Sequence, residues 1–343
     1  MLELNIKKKL NNFTLDIECK LDSNRIGILG GSGAGKSMIL KMLAGIEKPD
    51  KGYIKLDDQV LFDSDKKIDI KPKDRHIGYC FQNYALFPNL SVYENIVIGL
   101  DKEKRKDADE FLEKFELTKI RDSKPGKISG GQSARVAMAR ILIRKPNALL
   151  FDEAFSALDI YLRDHIQEEI AEILESFSGS AIFVSHSRDE IYRLCDSMIV
   201  IDSGKISNLG NTKDTFKSPK TKTAAILTGC KNISDIRYIS DNIVEAIDWG
   251  IKFEFSNKLP KGINALGIRA HEFKPIWGVS DGNLIEFKLK SRAKLPFEDN
   301  YYLHTRGSGD ITWLVQKDIK EKIEAKGLPD FLQIDEGNIL LLK

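Results

Sequence analysis

The chain has 343 residues, 30% of them charged and 42% hydrophobic, and carries a formal net charge of +2. That length exceeds one ordinary domain and predicts two or three, each able to bury a real core. The charge balance excludes a disordered chain and a strongly basic nucleic-acid binder, leaving a soluble globular enzyme as the starting expectation.

From the N-terminus, Leu2, Leu4 and Ile6, then Phe13, Leu15 and Ile17, alternate with polar residues as half-buried strands near a sheet edge do. The opening MLELNIKKKLNNF lacks the apolar core of a signal peptide. RIGILG (25–30) is a short apolar strand running into GGSGAGKS and then SMILKMLAGI, which has helical periodicity. The turn-rich EKPDKG (47–52) leads to further strands and to HIGYCFQNYALFPNLSVYENI (76–96). Residues 97–126 read as charged and helical, with Phe111, Leu112, Phe115 and Leu117 on one side. KISGGQSARVAMAR (127–140) joins a Ser-Gly-Gly-Gln turn to a basic, Ala-rich helix. NALLFDE (147–153) reads as a strand, a long helix runs to about 176, and AIFVSH (181–186) and SMIVIDSGKI (197–206) supply more strands. This alternation predicts a largely parallel α/β sheet with a helical insertion between its halves.

The texture changes near 217–233, where FKSPKTKTAAILTGCKN combines Pro, Lys and Thr. Beyond it Trp249, Ile251, Phe253 and Phe255 alternate, and LIEFKL, YYLHTRGSGDITWLVQK and FLQIDEGNILLL read as strands and hairpins, with one short helix expected near 317–326. The four cysteines, Cys19, Cys80, Cys195 and Cys230, have no metal-ligand or CxxC spacing and read as buried small hydrophobes in a reducing cytosol. No apolar run approaches the ~18 residues of a membrane span, so any membrane role comes through a partner.

Gly30-Gly31-Ser32-Gly33-Ala34-Gly35-Lys36-Ser37 fits G-x-x-x-x-G-K-[ST] between a strand and a helix. Glycines let backbone N–H groups turn inward around phosphate oxygens, Lys36 reaches the β/γ phosphates and the Ser37 hydroxyl takes Mg²⁺. A tight glycine turn with a surface lysine is the bland alternative, and the flanking strand and helix argue against it. Asp152 and Glu153 end an apolar strand, where one carboxylate can hold the Mg²⁺ shell and the other can orient or deprotonate a water; alone, they would read as a helix cap. His186 and Gln82 also follow strands, at the edge where α/β sheets present functional groups. Alone, neither would be assigned a role.

Together these residues resemble the nucleotide-binding subunit of an ABC transporter: the P-loop GGSGAGKS, the Q-loop FQNYALFPNLSVYENI, the signature ISGGQSARVAMAR, the strand ALLFDE, the D-loop SALD (156–159) and the histidine of VSH. The resemblance covers roughly residues 1–228. It implies an α/β P-loop NTPase cassette, a RecA-like core with a helical subdomain at about 83–145, followed over 229–343 by a small, mostly β, oligosaccharide-binding-fold (TOBE-like) regulatory domain. It further implies that two copies pair head to tail, so that Ser129, Gly130, Gly131 and Gln132 contact the ATP held on the partner's residues 30–37 and Met38. Glu153 then resembles the general base, His186 the γ-phosphate contact, Gln82 the metal and water contact, and Asp159 the link across the interface. Phe13 is the candidate to stack on adenine, with Leu10 an alternative alignment. The sequence departs from the family's pattern at Gly31, where many relatives have Pro, at Ile128, where Leu is usual, and at Ala154, where importers usually show Pro; none of these removes a polar contact.

The Q-loop continuation is similar to importers of oxyanions, sugars and polyamines, with Phe87 and Pro88 lining a groove for a membrane permease. The TAAILTGCKNIS junction and GIRAHEF (267–273) look most like molybdate importer ATPases. The expectation is an ATP- and Mg²⁺-dependent importer subunit on the cytoplasmic side of the cell membrane. It would serve permease subunits, and indirectly a substrate-binding protein, in uptake of molybdate or tungstate. Sulfate, polyamine or sugar are the alternative cargoes. A soluble cassette ATPase acting on DNA or ribosomes is the alternative of another class; those tend to carry tandem cassettes or a long coiled coil, and no nucleic-acid partner is expected here.

Overall fold

The computed structural model describes residues 1–10 and 13–343. It divides into two compact units, Met1–Lys213 and Asp214–Lys343. In the first, β1 (Leu2–Lys9), β2 (Thr14–Leu21) and β3 (Arg25–Gly30) precede α1 (Lys36–Ala44). β4 (Lys51–Leu56), β5 (Gln59–Asp63), β6 (Ile68–Asp69) and β7 (Ile77–Cys80) come next, then a helical stretch with α2 (Val92–Val97), α3 (Ala108–Lys114) and α4 (Gly130–Leu142). The unit continues with β8 (Ala148–Asp152), α5 (Ile160–Ser176), β9 (Ser180–Val184), α6 (Arg188–Leu194), β10 (Ser197–Asp202) and β11 (Lys205–Asn211).

These strands form one sheet in the order β6-β5-β4-β1-β2-β11-β10-β3-β9-β8-β7. Only one side of it is the parallel sheet expected from the sequence, β10, β3, β9, β8 and β7; β2, β1, β4, β5 and β6 run antiparallel. β1 is interior, paired to both β2 and β4, and not near an edge. Its alternation reports one well-covered face, with Leu2, Leu4 and Ile6 buried, and that pattern is blind to how many neighbours a strand has. The parallel strands read differently: every residue of β8 and β9 is buried, as expected between two covered faces. Phe151 and Phe183 stack across these strands with centroids 4.4 Å apart, and each buried ring stabilises the sheet by about 1.5–3 kcal/mol. On one face, Ile39, Leu40 and Leu43 of α1 pack with Ile28, Leu150 and Ile182.

The stretch 97–126 is less helical than its sequence suggests. α3 has seven residues, and the rest is short 3-10 turns at Lys102–Asp107, Thr118–Ile120 and Pro125–Lys127. Its clustered like charges and Pro125 do not sustain long helices, and the buried Leu112, Phe115 and Leu117 anchor it instead. No helix among the described residues is long and apolar enough to cross a membrane.

α7 (Thr212–Lys217) spans the division between units, which falls ahead of the 228/229 boundary that the resemblance implied. α8 (Lys222–Leu227) belongs to the second unit, because Ala225 joins a small core with Cys230, Ala265, Leu340 and Leu342. That unit then runs β12 (Asn232–Tyr238), β13 (Ile243–Ala246), β14 (Ile251–Glu254), β15 (Ala265–Ile268), β16 (Lys274–Ile276), β17 (Leu284–Ile285), β18 (Lys288–Lys294), β19 (Asp299–His304) and β20 (Asp310–Val315). α9 (Lys317–Lys326), β21 (Phe331–Gln333) and β22 (Ile339–Leu342) complete it. Its sheets, β14-β13-β12-β15-β22, β16-β21-β17 and β18-β19-β20, enclose Trp249, Phe253, Phe273, Tyr301 and Trp313. This is the mostly β unit expected, with a helix at 317–326 as expected.

Candidate functional site

The order β3-β9-β8 puts the carboxyl ends of these three parallel strands side by side, so the residues that follow each strand gather at one sheet edge. After β3 the chain turns through Gly33 at φ 75° and Gly35 at φ 102°, left-handed values that suit glycine. A Cβ at Gly30 would stand 2.6 Å from the Ile201 carbonyl oxygen. Lys36 opens α1 and folds back, its Nζ donating to the Gly30 and Gly31 carbonyls at 2.9 and 3.0 Å. Burial pushes this ammonium's pKa down, while Glu153 and Asp152 pull it up. Gly31, Ser32 and Gly33 are exposed, Ala34 is buried, and Met38 packs on the core.

At the end of β8, Asp152 accepts from Ser37 Oγ at 2.7 Å on one oxygen and from the Tyr79 hydroxyl at 2.8 Å on the other. Burial and the Asp152 contact drive the Tyr79 phenol well above its ordinary pKa, so it stays a proton donor. Glu153 has φ 50°, an uncommon conformation for a non-glycine residue and one whose strain the surroundings must hold. Here its N–H donates to Val184 O at 2.9 Å, and its carbonyl accepts from Ser156 N–H at 3.0 Å and Ser156 Oγ at 2.7 Å. The result aims the carboxylate at His186, whose Nε2 lies 2.7 Å from Glu153 Oε1. His186 is half exposed, Glu153 largely covered.

Among the described residues, two further sequence candidates, Gln82 and Asp159, have no bond to this cluster, and a third, Phe13, borders it. Gln82 is exposed in the turn after β7; beyond it Tyr84 and Ala85 are both left-handed, and Arg140 holds their carbonyls at 2.5 and 2.8 Å. Phe13 lies over the end of the glycine turn, its ring carbons 3.6 Å from where a Gly35 Cβ would sit, and it also packs on Gly204. Leu10 donates its N–H to Phe13 O at 2.9 Å, so the two alternatives for an adenine contact are neighbours. The Asp159 side chain caps α5 by accepting from Leu162 N–H at 3.0 Å.

The Ser-Gly-Gly-Gln stretch forms a capping box at the start of α4. Gln132 N–H donates to Ser129 Oγ at 3.2 Å and Ser129 N–H donates to Gln132 Oε1 at 2.9 Å. Gly131 lies so close to α5 that a Cβ would be 2.6 Å from Leu162, and at Gly130 one would be 3.3 Å from Leu158. Among the described residues no hydrogen bond joins this stretch to residues 30–37, so its exposed polar groups serve nothing within their own chain's glycine turn.

Sequence reasoning did not single out Tyr79, Arg140, Arg163 or Glu190. Arg163 braces the 155–159 loop through the Phe155 and Leu158 carbonyls at 3.2 and 2.9 Å. Arg140 stood in the quoted signature stretch, but its partners are backbone oxygens more than fifty residues away. A cleft of about 680 Å³ opens beside it, bounded by Phe81, Ala85, Phe87, Arg140 and Arg144. Phe87 lines it; Pro88 is exposed outside its wall.

The ABC transporter family model matches residues 10–156. Over 237 residues the chain is 37% identical to the probable sulfate/thiosulfate import ATP-binding protein CysA of Chlorella vulgaris, a match covering 66% of this chain and 98% of that protein. The chain belongs to the ABC transporter family. This ABC cassette is also 36% identical over 223 residues to the molybdenum import ATP-binding protein ModC of Paramagnetospirillum magneticum (strain ATCC 700264 / AMB-1), which covers 64% of this chain and 61% of that protein. The matched part thus spans about three fifths of that relative's length. Among solved structures, the ATP-binding cassette MJ0796, a dimer in a post-hydrolysis state bound to ADP and Pi, superposes with a TM-score of 0.52 at 26% identity, covering 62% of this chain and 99% of that one. The ABC cassette fold of the P-loop NTPase class is therefore established, with additional small β-sheets C-terminal to it.

Proposed function

We propose that this chain is the ATP-hydrolysing subunit of an importer and that it works as a head-to-tail pair of copies beneath a membrane permease on the cytoplasmic face. The observation that carries the reading is the convergence of Lys36, Ser37, Asp152, Glu153 and His186 at one sheet edge, with Glu153 bound to His186 at 2.7 Å. Residues 30–38 cradle the phosphates of ATP, and Lys36 exchanges its two loop carbonyls for β/γ oxygens. Glu153 takes the proton of the attacking water, and His186 orients that carboxylate and contacts the γ-phosphate. Phe13 stacks on the adenine ring. Ser129, Gly130, Gly131 and Gln132 reach the nucleotide of the other copy, Asp159 links the two, and Gln82 senses the metal and water. Hydrolysis conditional on a second chain's donors makes closure part of the reaction.

Mg²⁺ fits the residues present. Ser37 Oγ and Asp152 Oδ1, 2.7 Å apart, are hard oxygen donors, and a cation that keeps most of its waters and takes phosphate oxygens needs few protein ligands. When bound, it supplies charge neutralisation at the β/γ phosphates.

For the cargo, molybdate or tungstate is the first reading, with the ModC likeness supporting molybdenum uptake, and the CysA likeness supports sulfate as a second reading. Polyamine or sugar import is the remaining alternative. The 680 Å³ cleft with half-exposed Phe87 supports a docked permease element, to which a substrate-binding protein would deliver. A net charge of +2 disfavours the DNA or ribosome alternative.

The test is Glu153→Gln in the full chain. ATP binding should persist while turnover falls by about 10³; normal hydrolysis by this variant refutes the assignment. Titrating the same chain with molybdate, tungstate and sulfate separates the cargo readings if the second unit binds one of them.

A further inference from the structure

Behind the Glu153–His186 pair, residues 185–190 close a ring of hydrogen bonds. Ser185 Oγ donates to Glu190 Oε2 at 2.5 Å and accepts from Ser187 N–H at 2.8 Å. Ser187 Oγ in turn accepts from Glu190 N–H at 3.4 Å, capping α6. The ring brackets His186, and Ser185 N–H anchors it to β3 through Ile28 O at 3.4 Å. Ser185 and Glu190 are 5% and 6% exposed, whereas His186 is 49% exposed, so a covered brace presents an accessible imidazole.

The carboxylate is not needed to start α6, because Ser187 provides the cap. It is also unfavourable where it stands. Burial raises its pKa, Ser185 and Arg163 offset part of that, and Glu153 and Asp189 add to it. An apolar side chain would fill the same space with less desolvation. What the carboxylate adds is the direction of the Ser185 hydroxyl, which donates its one proton to Glu190 and leaves a lone pair for the Ser187 amide.

We propose that Glu190 is a positioning residue for hydrolysis: through Ser185 it sets the turn that holds His186 Nε2 against Glu153 Oε1. This rests on the ATPase reading and deepens it.

The experiment compares Glu190→Ala, Glu190→Gln, Ser185→Ala and the Ser185→Ala/Glu190→Ala double variant in the full chain, reading kcat, KM for ATP, nucleotide affinity and melting temperature. Glu190→Ala should lower kcat by about tenfold or more, with KM and nucleotide affinity within about twofold. Glu190→Gln keeps an acceptor for Ser185 and should stay within about threefold of the parent. The double variant should lose no more than the worse single one, because both remove one brace. Unchanged kcat in Glu190→Ala, loss of kcat and nucleotide affinity together, Gln as poor as Ala, or additive losses would each overturn the proposal. If instead the parent chain hydrolyses no ATP, or Glu153→Gln hydrolyses it normally, the underlying reading has failed and not this inference alone.

Discussion

Both units bury polar groups that serve the fold, as Arg75 and Asn95 do in the first by bonding backbone carbonyls, but the first also gathers buried polar groups at one sheet edge. In the second, each polar side chain traced inward serves the fold. Asn232 donates to Ile268 O and Thr312 O at 3.1 and 2.9 Å and accepts from Thr312 N–H at 2.7 Å. Thr305 Oγ1 donates to Trp249 O at 2.8 Å, and Asp299 is matched by Arg292 and Lys320. In the first unit, Lys36, Asp152, Ser185 and Glu190 are equally buried, and their bonds gather at one sheet edge, beside the Glu153–His186 pair. Burying a polar group costs about 1–3 kcal/mol unless it is paired. Where that cost goes into backbone contacts alone it stabilises the fold; where it aims side chains at a common point it can serve a reaction as well.

Substitutions at the two places should break along that line. Glu153→Gln has the largest expected effect, a loss of turnover of about 10³, with the unfolding transition of either unit scarcely moved. Asn232→Ala should do the opposite. It strands the Thr312 N–H and two carbonyls, so denaturant unfolding should show the second unit destabilised by about 3 kcal/mol while kcat of the folded chain is unchanged. A kcat loss without destabilisation would mean that the β unit belongs to the reaction machinery.

A third effect is alkaline. Burial pushes the Cys80 thiol up to about 12 and Cys19 to about 11, from an ordinary value of 9.0, and Cys195 is raised well above it. A pKa raised in the folded state gives stability that is complete below the unfolded value and is lost as pH rises through the folded one. The first unit carries these three thiols, while the second carries Cys230, also raised. Melting followed from pH 8 to 11 should therefore show the first unit weakening from about pH 9 upward and more steeply than the second. Parallel decline of both would contradict the burial of the three.

What the sequence made legible was local. Gly30 to Ser37, Asp152-Glu153 and His186 each sit beside the strand that places them, so the flanking pattern carried the placement as well as the residue types. The hidden parts depend on distant partners. Asp152 meets Ser37 and Tyr79 only because β3, β8 and β7 lie in one sheet. Arg140 and Arg163 act on backbone carbonyls, which no residue type announces. Glu190 lies four residues past His186, but helical spacing alone gives no reason to turn it inward. The antiparallel side of the sheet was missed for a similar reason: Leu2, Leu4 and Ile6 record which face is covered, not which strands pair.

The central claim is that the reaction site is completed by the Ser129 stretch of a second copy, and Ser129→Arg tests it most directly. Turnover and ATP affinity should be measured side by side on the full-length variant. A bulky cation at the mouth of α4 leaves Gly30 to Ser37 untouched, so affinity should stay within about threefold of the parent while turnover falls by about a hundredfold or more. Parental turnover by Ser129→Arg would contradict the account.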